Sequence, residues 1–169
     1  MNMHKTSPSE LRVKPDLKWV WQKLSRIVAF GLGSGLLRPA RGTWGTLAAW
    51  WAWAWVGQIP EAIMGGFLAL MFVLGVWACD QVAKDLGTVD FGGVVWDEIV
   101  AFWLVLWFVP DNIFAQAFAF LIFRLLDIWK PGPIAYVEKK FNNGFGVMLD
   151  DLVAAGLTIL LFALFYRVF

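Results

Sequence analysis

Between Glu61 and Asp80 the chain runs for 18 residues, 62–79, without one charged side chain. As a helix that stretch is about 27 Å long, close to the roughly 30 Å hydrocarbon core of a bilayer. Residues 152–169 repeat the pattern, interrupted only by Arg167. Weaker apolar runs lie at 44–56, 99–109 and 113–126, each short for a full crossing unless extended through neighbouring polar residues. Soluble domains average about 45–50% apolar and about 25% charged residues. This chain of 169 residues is 60% hydrophobic and 16% charged, more apolar surface than one small core can hide. The sequence therefore predicts an all-α, polytopic membrane bundle of about five embedded helices, some short enough to be re-entrant. A polar, basic arm over 1–26 precedes the helical domain over 27–169. With six Lys and Arg and no long apolar run, that leader reads as an arm rather than a cleaved signal.

Several chemistries are excluded early. A net charge of +1 gives no bulk attraction for nucleic acid. Cys79 is the sole cysteine and His4 the sole histidine, so neither an intrachain disulfide nor a Cys-rich metal site is available, and a Cys–His nucleophile is disfavoured. Carboxylates, Lys, Arg and hydroxyls remain.

Five crossings place the leader and the connections 80–97 and 127–151 on one face, and the turns at Pro60 and Pro110 on the other. Counting Arg124 at its boundary, 13 of the 14 Lys and Arg then fall on the first face, with Arg167 alone opposite. Positive charge resists translocation, so the first face is predicted to be cytoplasmic. Trp50, Trp51, Trp53 and Trp55 suit either headgroup depth or ordinary packing.

The same alternation gathers the acids. Asp97 and Glu98 begin the third span, Asp127 ends the fourth, and Asp150 and Asp151 begin the fifth. An ionised group near hydrocarbon costs about 2.5–3.5 kcal/mol on insertion scales, so five carboxylates at one boundary need a partner. A hard divalent cation is the natural one, and magnesium is bound by carboxylates together with phosphate oxygens. The competing reading is that such acids are helix caps in water; adjacent pairs on two helices exceed what capping needs.

Arg124 and Lys130 flank Asp127 at three-residue spacing, so on a continuing helix the three share a face. Cations there would meet a phosphate ligand or form an internal ion pair with Asp127. The glycine stretch Gly31-Leu32-Gly33-Ser34-Gly35, followed by Arg38, Arg41 and Thr43, fits either an anion-binding loop or a small-residue helix contact. Thr43 is also placed as an N-cap. Lys84, one turn after Asp80 and next to Asp85, reads as solvated charge or as outer support for the site.

In order and spacing these residues resemble the phosphatidylglycerophosphatase A family over about residues 29–160. The resemblance rests on Phe30-Gly31-Leu32-Gly33-Ser34-Gly35, Gly42-Thr43-Trp44-Gly45, Ala83-Lys84-Asp85 and Val95-Trp96-Asp97-Glu98. It is strongest over Phe123-Arg124-Leu125-Leu126-Asp127-Ile128-Trp129-Lys130-Pro131 and Gly144-Phe145-Gly146-Val147-Met148-Leu149-Asp150-Asp151. It implies a magnesium-dependent enzyme that removes the phosphate monoester of phosphatidylglycerophosphate at the cytoplasmic side of the bacterial inner membrane. The family's acidic motifs map onto Asp97, Glu98, Asp127, Asp150 and Asp151 as metal ligands and catalytic groups, with Lys130 beside them. Arg124, Thr43, Arg41, Arg38 and Lys84 are the expected substrate contacts. Two positions depart: Arg41 stands where the family commonly has proline, and Asn142 where it commonly has histidine. A carboxylate-and-metal scheme tolerates both. Direct attack by water and an aspartate nucleophile both remain open, as do a lipid-headgroup phosphotransferase and a non-enzymatic ion-binding transporter.

Overall fold

A computed structural model describes residues 13–89 and 91–168, and all regular structure among them is helical. Two short helices, α1 (Leu17–Val20) and α2 (Leu24–Ala29), lead into a 3-10 segment at Gly31–Leu36. Five longer helices follow: α3 (Arg41–Val56), α4 (Glu61–Leu86), α5 (Trp96–Phe108), α6 (Ile113–Trp129) and α8 (Gly144–Val168), with the nine-residue α7 (Gly132–Lys140) between the last two.

Local chemistry sets the boundaries. The Asn112 side chain caps α6 by accepting from Ala115 N at 2.9 Å, just after Pro110. Helix α4 carries Glu61 in its first turn and Lys84 in its last, matching the helix dipole. It stops at Gly87, whose φ of 78° belongs to the left-handed region that glycine enters freely.

Helix α5 is the centre, packed against α3, α4 and α8, and seven of its residues from Ile99 to Leu106 are buried. Indole N–H groups tie its neighbours to it. Trp103 donates to the Ala49 carbonyl at 3.0 Å and Trp96 to the Met71 carbonyl at 3.0 Å. Trp50 donates to Gln116 Oε1 at 2.7 Å, joining α3 to α6. The tryptophans of α3 thus divide: Trp50 packs inward, while Trp51 and Trp55 face outward against each other.

Two helices, α4 and α8, are long and apolar enough to cross a membrane. Only 28% of the apolar window of α4 and 39% of that of α8 is buried within the protein, so most of this surface faces outward. In water so much exposed apolar surface would drive association.

All five apolar runs are helical, but their limits differ from the sequence reading. Helix α8 begins at Gly144, not at 152, and α4 continues through Lys84. A charged residue marks where a hydropathic run ends, not where backbone hydrogen bonding ends. The first 12 residues of the expected polar arm lie outside the described residues. Its later part folds onto α4: Trp19, Val20 and Arg26 are buried. Arg26 Nε meets Asp85 Oδ2 at 2.8 Å, Lys23 Nζ meets Oδ1 at 3.0 Å, and the Arg26 guanidinium lies 3.8 Å from the Trp19 ring centre. Asp85→Ala removes the carboxylate from that buried guanidinium, leaving it the Trp19 carbonyl and Gln22 Oε1, and is expected to cost about 1–2 kcal/mol, read as a lower thermal midpoint in detergent.

In the 3-10 segment, Gly35 packs against the loop that precedes α5 rather than against another helix. A Cβ on Gly35 would overlap the Gly93 carbonyl, so glycine there lets the two backbones approach closely.

Candidate active site

Alternating helix directions bring the C-terminal ends of α4 and α6 to the same end of the bundle as the N-terminal ends of α5 and α8. Between them lies a cavity of about 1140 Å³. Seven carboxylates line it, from Asp80, Asp97, Glu98, Asp127, Glu138, Asp150 and Asp151, against three cations, Lys84, Arg124 and Lys130. Such an excess of negative charge in a half-enclosed space is unfavourable without a counter-charge.

The acids are sorted by their helices. One oxygen each from Glu98, Asp127 and Asp151 lie within 4.8 Å of one another, although the residues come from α5, α6 and α8. Arg124 Nη1 joins two of them, at 3.0 Å from Glu98 Oε1 and 2.7 Å from Asp127 Oδ2; all three side chains are only 11–12% exposed. The other oxygen of Glu98, Oε2, and Asp151 Oδ2 are buried without any hydrogen-bond partner. Asp151 lies two turns inside α8, so it is not an N-terminal cap. Asp97 Oδ1 accepts from Glu98 N at 3.0 Å, and Asp150 Oδ1 from Asp151 N at 2.9 Å.

Helix α3 closes the wall behind Glu98. Gly42 sits so close that an added Cβ would overlap the Glu98 carboxylate. Thr46 Oγ1 donates to the Gly42 carbonyl at 2.9 Å and receives a long contact from Arg124 Nη1 at 3.4 Å.

Also lining the cavity, Lys130 Nζ stands 2.9 Å from Asp150 Oδ2 and 2.9 Å from Glu138 Oε1. Burial works against its charge, but Asp150 and Glu138 outweigh that and hold its pKa above the ordinary lysine value. The start of α8 is capped here as well: Gly144 N donates to Asp80 Oδ1 at 2.6 Å and Gly146 N to Asn143 Oδ1 at 3.0 Å.

With this geometry in view, the sequence model of the phosphatidylglycerophosphatase A family matches residues 27–166. The chain belongs to that family. A phosphatidylglycerophosphatase A of Haemophilus influenzae is 42% identical over 135 residues, 76% of this chain and 80% of the relative. The phosphatidylglycerophosphatase A of Escherichia coli is 40% identical over 129 residues, 76% of this chain and 75% of the relative. A third relative, from Bacteroides thetaiotaomicron, carries a provisional name as a phosphatidylinositol-3-phosphatase and is 35% identical over 145 residues, 81% of this chain and 90% of its own. No solved structure matches.

All five acids expected from the sequence line the one cavity, as do Lys84, Arg124 and Lys130. Arg38, Arg41 and Thr43 are not among its lining residues. Arg38 is exposed, and the Arg41 guanidinium lies 5.0 Å from the Phe91 ring centre. One arrangement differs outright. Arg124, Asp127 and Lys130 do not form a continuous helical row, because α6 ends at Trp129 and Lys130 turns to φ 45°, ψ 59° ahead of Pro131. Lys130 therefore reaches α7 and α8 instead of Asp127.

Sequence reasoning missed Glu138 and Thr46. Each carried a faint signal: Glu138 is one turn beyond Ile134, the buried residue of α7, and Thr46 is one turn beyond Gly42. Neither signal is usable until α7 and the start of α3 are known to be helical.

Proposed function

We propose that this family member hydrolyses the phosphate monoester of phosphatidylglycerophosphate to phosphatidylglycerol and inorganic phosphate, with magnesium, at the cytoplasmic face of the bacterial inner membrane. The observation that carries the reading is the meeting of Glu98, Asp127 and Asp151 from three helices, with two of their buried oxygens unpartnered. Hard carboxylate oxygens fit magnesium, and the two unpartnered atoms are the kind of buried acceptor that otherwise goes unsatisfied at a cost. Glu98, Asp127 and Asp151 would hold the ion, with Asp97 and Asp150 beside them. When bound, magnesium supplies charge neutralisation at the phosphoryl oxygens and activation of water.

The chain's own residues do the rest. Lys130 and Arg124 line the same cavity and bind the phosphate, Lys130 as a point charge and Arg124 as a fork of donors. Lys84 lines the wall on the α4 side and meets the anionic headgroup. Gly42 and Thr46 keep Glu98 and Arg124 in register. Hydrolysis forms a bond from the water oxygen to phosphorus, breaks the bond to the glycerol oxygen, and returns a proton to the departing alcohol.

The membrane setting follows from the same alternation. Five helices cross or enter the bilayer, with α4 and α8 the full-length spans. Helix α5, about 20 Å long, is sheltered by its neighbours. The cavity end carries the Lys and Arg excess and is therefore cytoplasmic.

Phosphate release by the purified protein in detergent tests this reading. Release from phosphatidylglycerophosphate with magnesium is expected to fall at least about a hundredfold on chelation and to return when magnesium is restored. Phosphatidylinositol 3-phosphate, supplied in parallel, is expected to be the poorer substrate. No release from either lipid would overturn the proposal.

A further inference from the structure

Lys130 carries more acid than one ammonium needs. Asp150 and Glu138 both stand 2.9 Å from Nζ, yet they arrive from different helices. Asp150 neighbours the acid cluster on α8; Glu138 comes from α7 and lies outside the group of converging oxygens.

The backbone is shaped to deliver that second carboxylate. Lys130 adopts φ 45°, a left-handed conformation that residues with a Cβ avoid, and Pro131 then leads into α7 as its N-cap. Ile134, fully buried, anchors the inner face of α7, and Glu138 follows one turn later on that face. The chain thus reverses to set Glu138 against a lysine eight residues earlier. Stability alone is a small return for this arrangement. The two side chains are half-buried, at 27% and 30% exposure, and the pair contributes only modestly. Both residues, however, line the cavity.

We infer that Glu138 is a positioning residue for the phosphate-binding lysine, holding Lys130 Nζ at the cavity wall. The inference rests on the proposed phosphatase reading, in which that ammonium meets a phosphate oxygen. An ammonium has three donors; Glu138 and Asp150 take two, and one is left for an anion. Without Glu138 the flexible four-carbon stem follows Asp150 alone, and the lysine loses its fixed place relative to the phosphate. Losing that placement weakens an interaction that matters most as charge develops on the phosphoryl group, so kcat suffers more than KM.

The test compares Glu138→Gln and Glu138→Asp with the parent, using phosphatidylglycerophosphate in mixed micelles. Glu138→Gln is expected to lower kcat about tenfold with KM changed less than about twofold, while Glu138→Asp recovers to within about threefold of the parent. In a Lys130→Met background Glu138→Gln is expected to change kcat less than about twofold, because both act through one interaction. A full tenfold loss in that background would show that Glu138 acts elsewhere and would overturn the inference. A second arm needs no turnover: acetic anhydride labelling of Lys130, read by peptide mass spectrometry against Lys139 and Lys140. Release from Glu138 is expected to raise Lys130 labelling at least about threefold with the neighbours unchanged. Equal labelling in parent and Glu138→Gln would sink the inference on its own. A parent that releases no phosphate would instead strike the phosphatase reading, leaving the tether to be decided by the labelling.

Discussion

Asp151→Asn is expected to lower phosphate release by at least about a thousandfold, a loss of about 4 kcal/mol in transition-state stabilisation. The substitution keeps the shape of the side chain and removes one charge from a group that is 3% exposed and whose Oδ2 has no partner. Its effect on the fold should have the opposite sign. Asp151 is buried among Asp97, Glu98, Asp127 and Asp150, so in the presence of chelator its neutralisation relieves first the cost of burying a charge and then the repulsion of those neighbours. The thermal midpoint without metal is therefore expected to stay level or rise while activity collapses. A purely structural acid would behave otherwise, with midpoint and activity falling together. Phosphate release within tenfold of the parent would remove Asp151 from the site.

Gly42→Ala is expected to cost about a hundredfold in phosphate release, although no charged residue is replaced. The new methyl would overlap the Glu98 carboxylate, which α3 supports from behind. Either Glu98 leaves the converging oxygens, or α3 moves off α5 and takes Thr46 with it. Overpacking of this kind costs about 1–3 kcal/mol, so the thermal midpoint falls as well. Gly66→Ala is the matched control. Nothing lies within 4 Å of a Cβ built there, and in the interior of α4 alanine is preferred over glycine by about 1 kcal/mol. The control should be slightly more stable than the parent and fully active. Activity measured alongside thermal unfolding for both variants separates displacement of Glu98 from a general effect of adding a methyl to a helix. Unchanged activity in Gly42→Ala would mean that α3 does not set the position of Glu98.

Much of the fold was legible because bilayer-scale hydropathy and charge are local properties of a chain. The uncharged run 62–79 announces α4, and the remaining apolar runs all prove helical. Alternation of direction then predicts that acids from three helices share one end of the bundle, and all five line one cavity. Helix ends were less legible. Asp150 and Asp151 look like the start of a span, yet α8 begins at Gly144, where Asp80 and Asn143 satisfy its first N–H groups. That partnership joins residues 64 apart and has no local trace. Lys130 misleads for a related reason: its spacing from Asp127 suits one helical face, but Pro131 ends the helix and the lysine turns across to α7 and α8.

Taken alone, the chain determines its apolar helices, the end of the bundle at which its acids gather, and the family motifs that carry them. Each of these depends on residue type, run length or spacing, all of which act before any long-range contact forms. Only tertiary structure decided which oxygens converge and which cations reach them. It selected Glu98, Asp127 and Asp151 for the tight cluster, gave Arg124 to two of them, and set Glu138 against Lys130. Those outcomes depend on how helices stack and where a turn reverses, over a few ångströms that spacing along one helix does not encode.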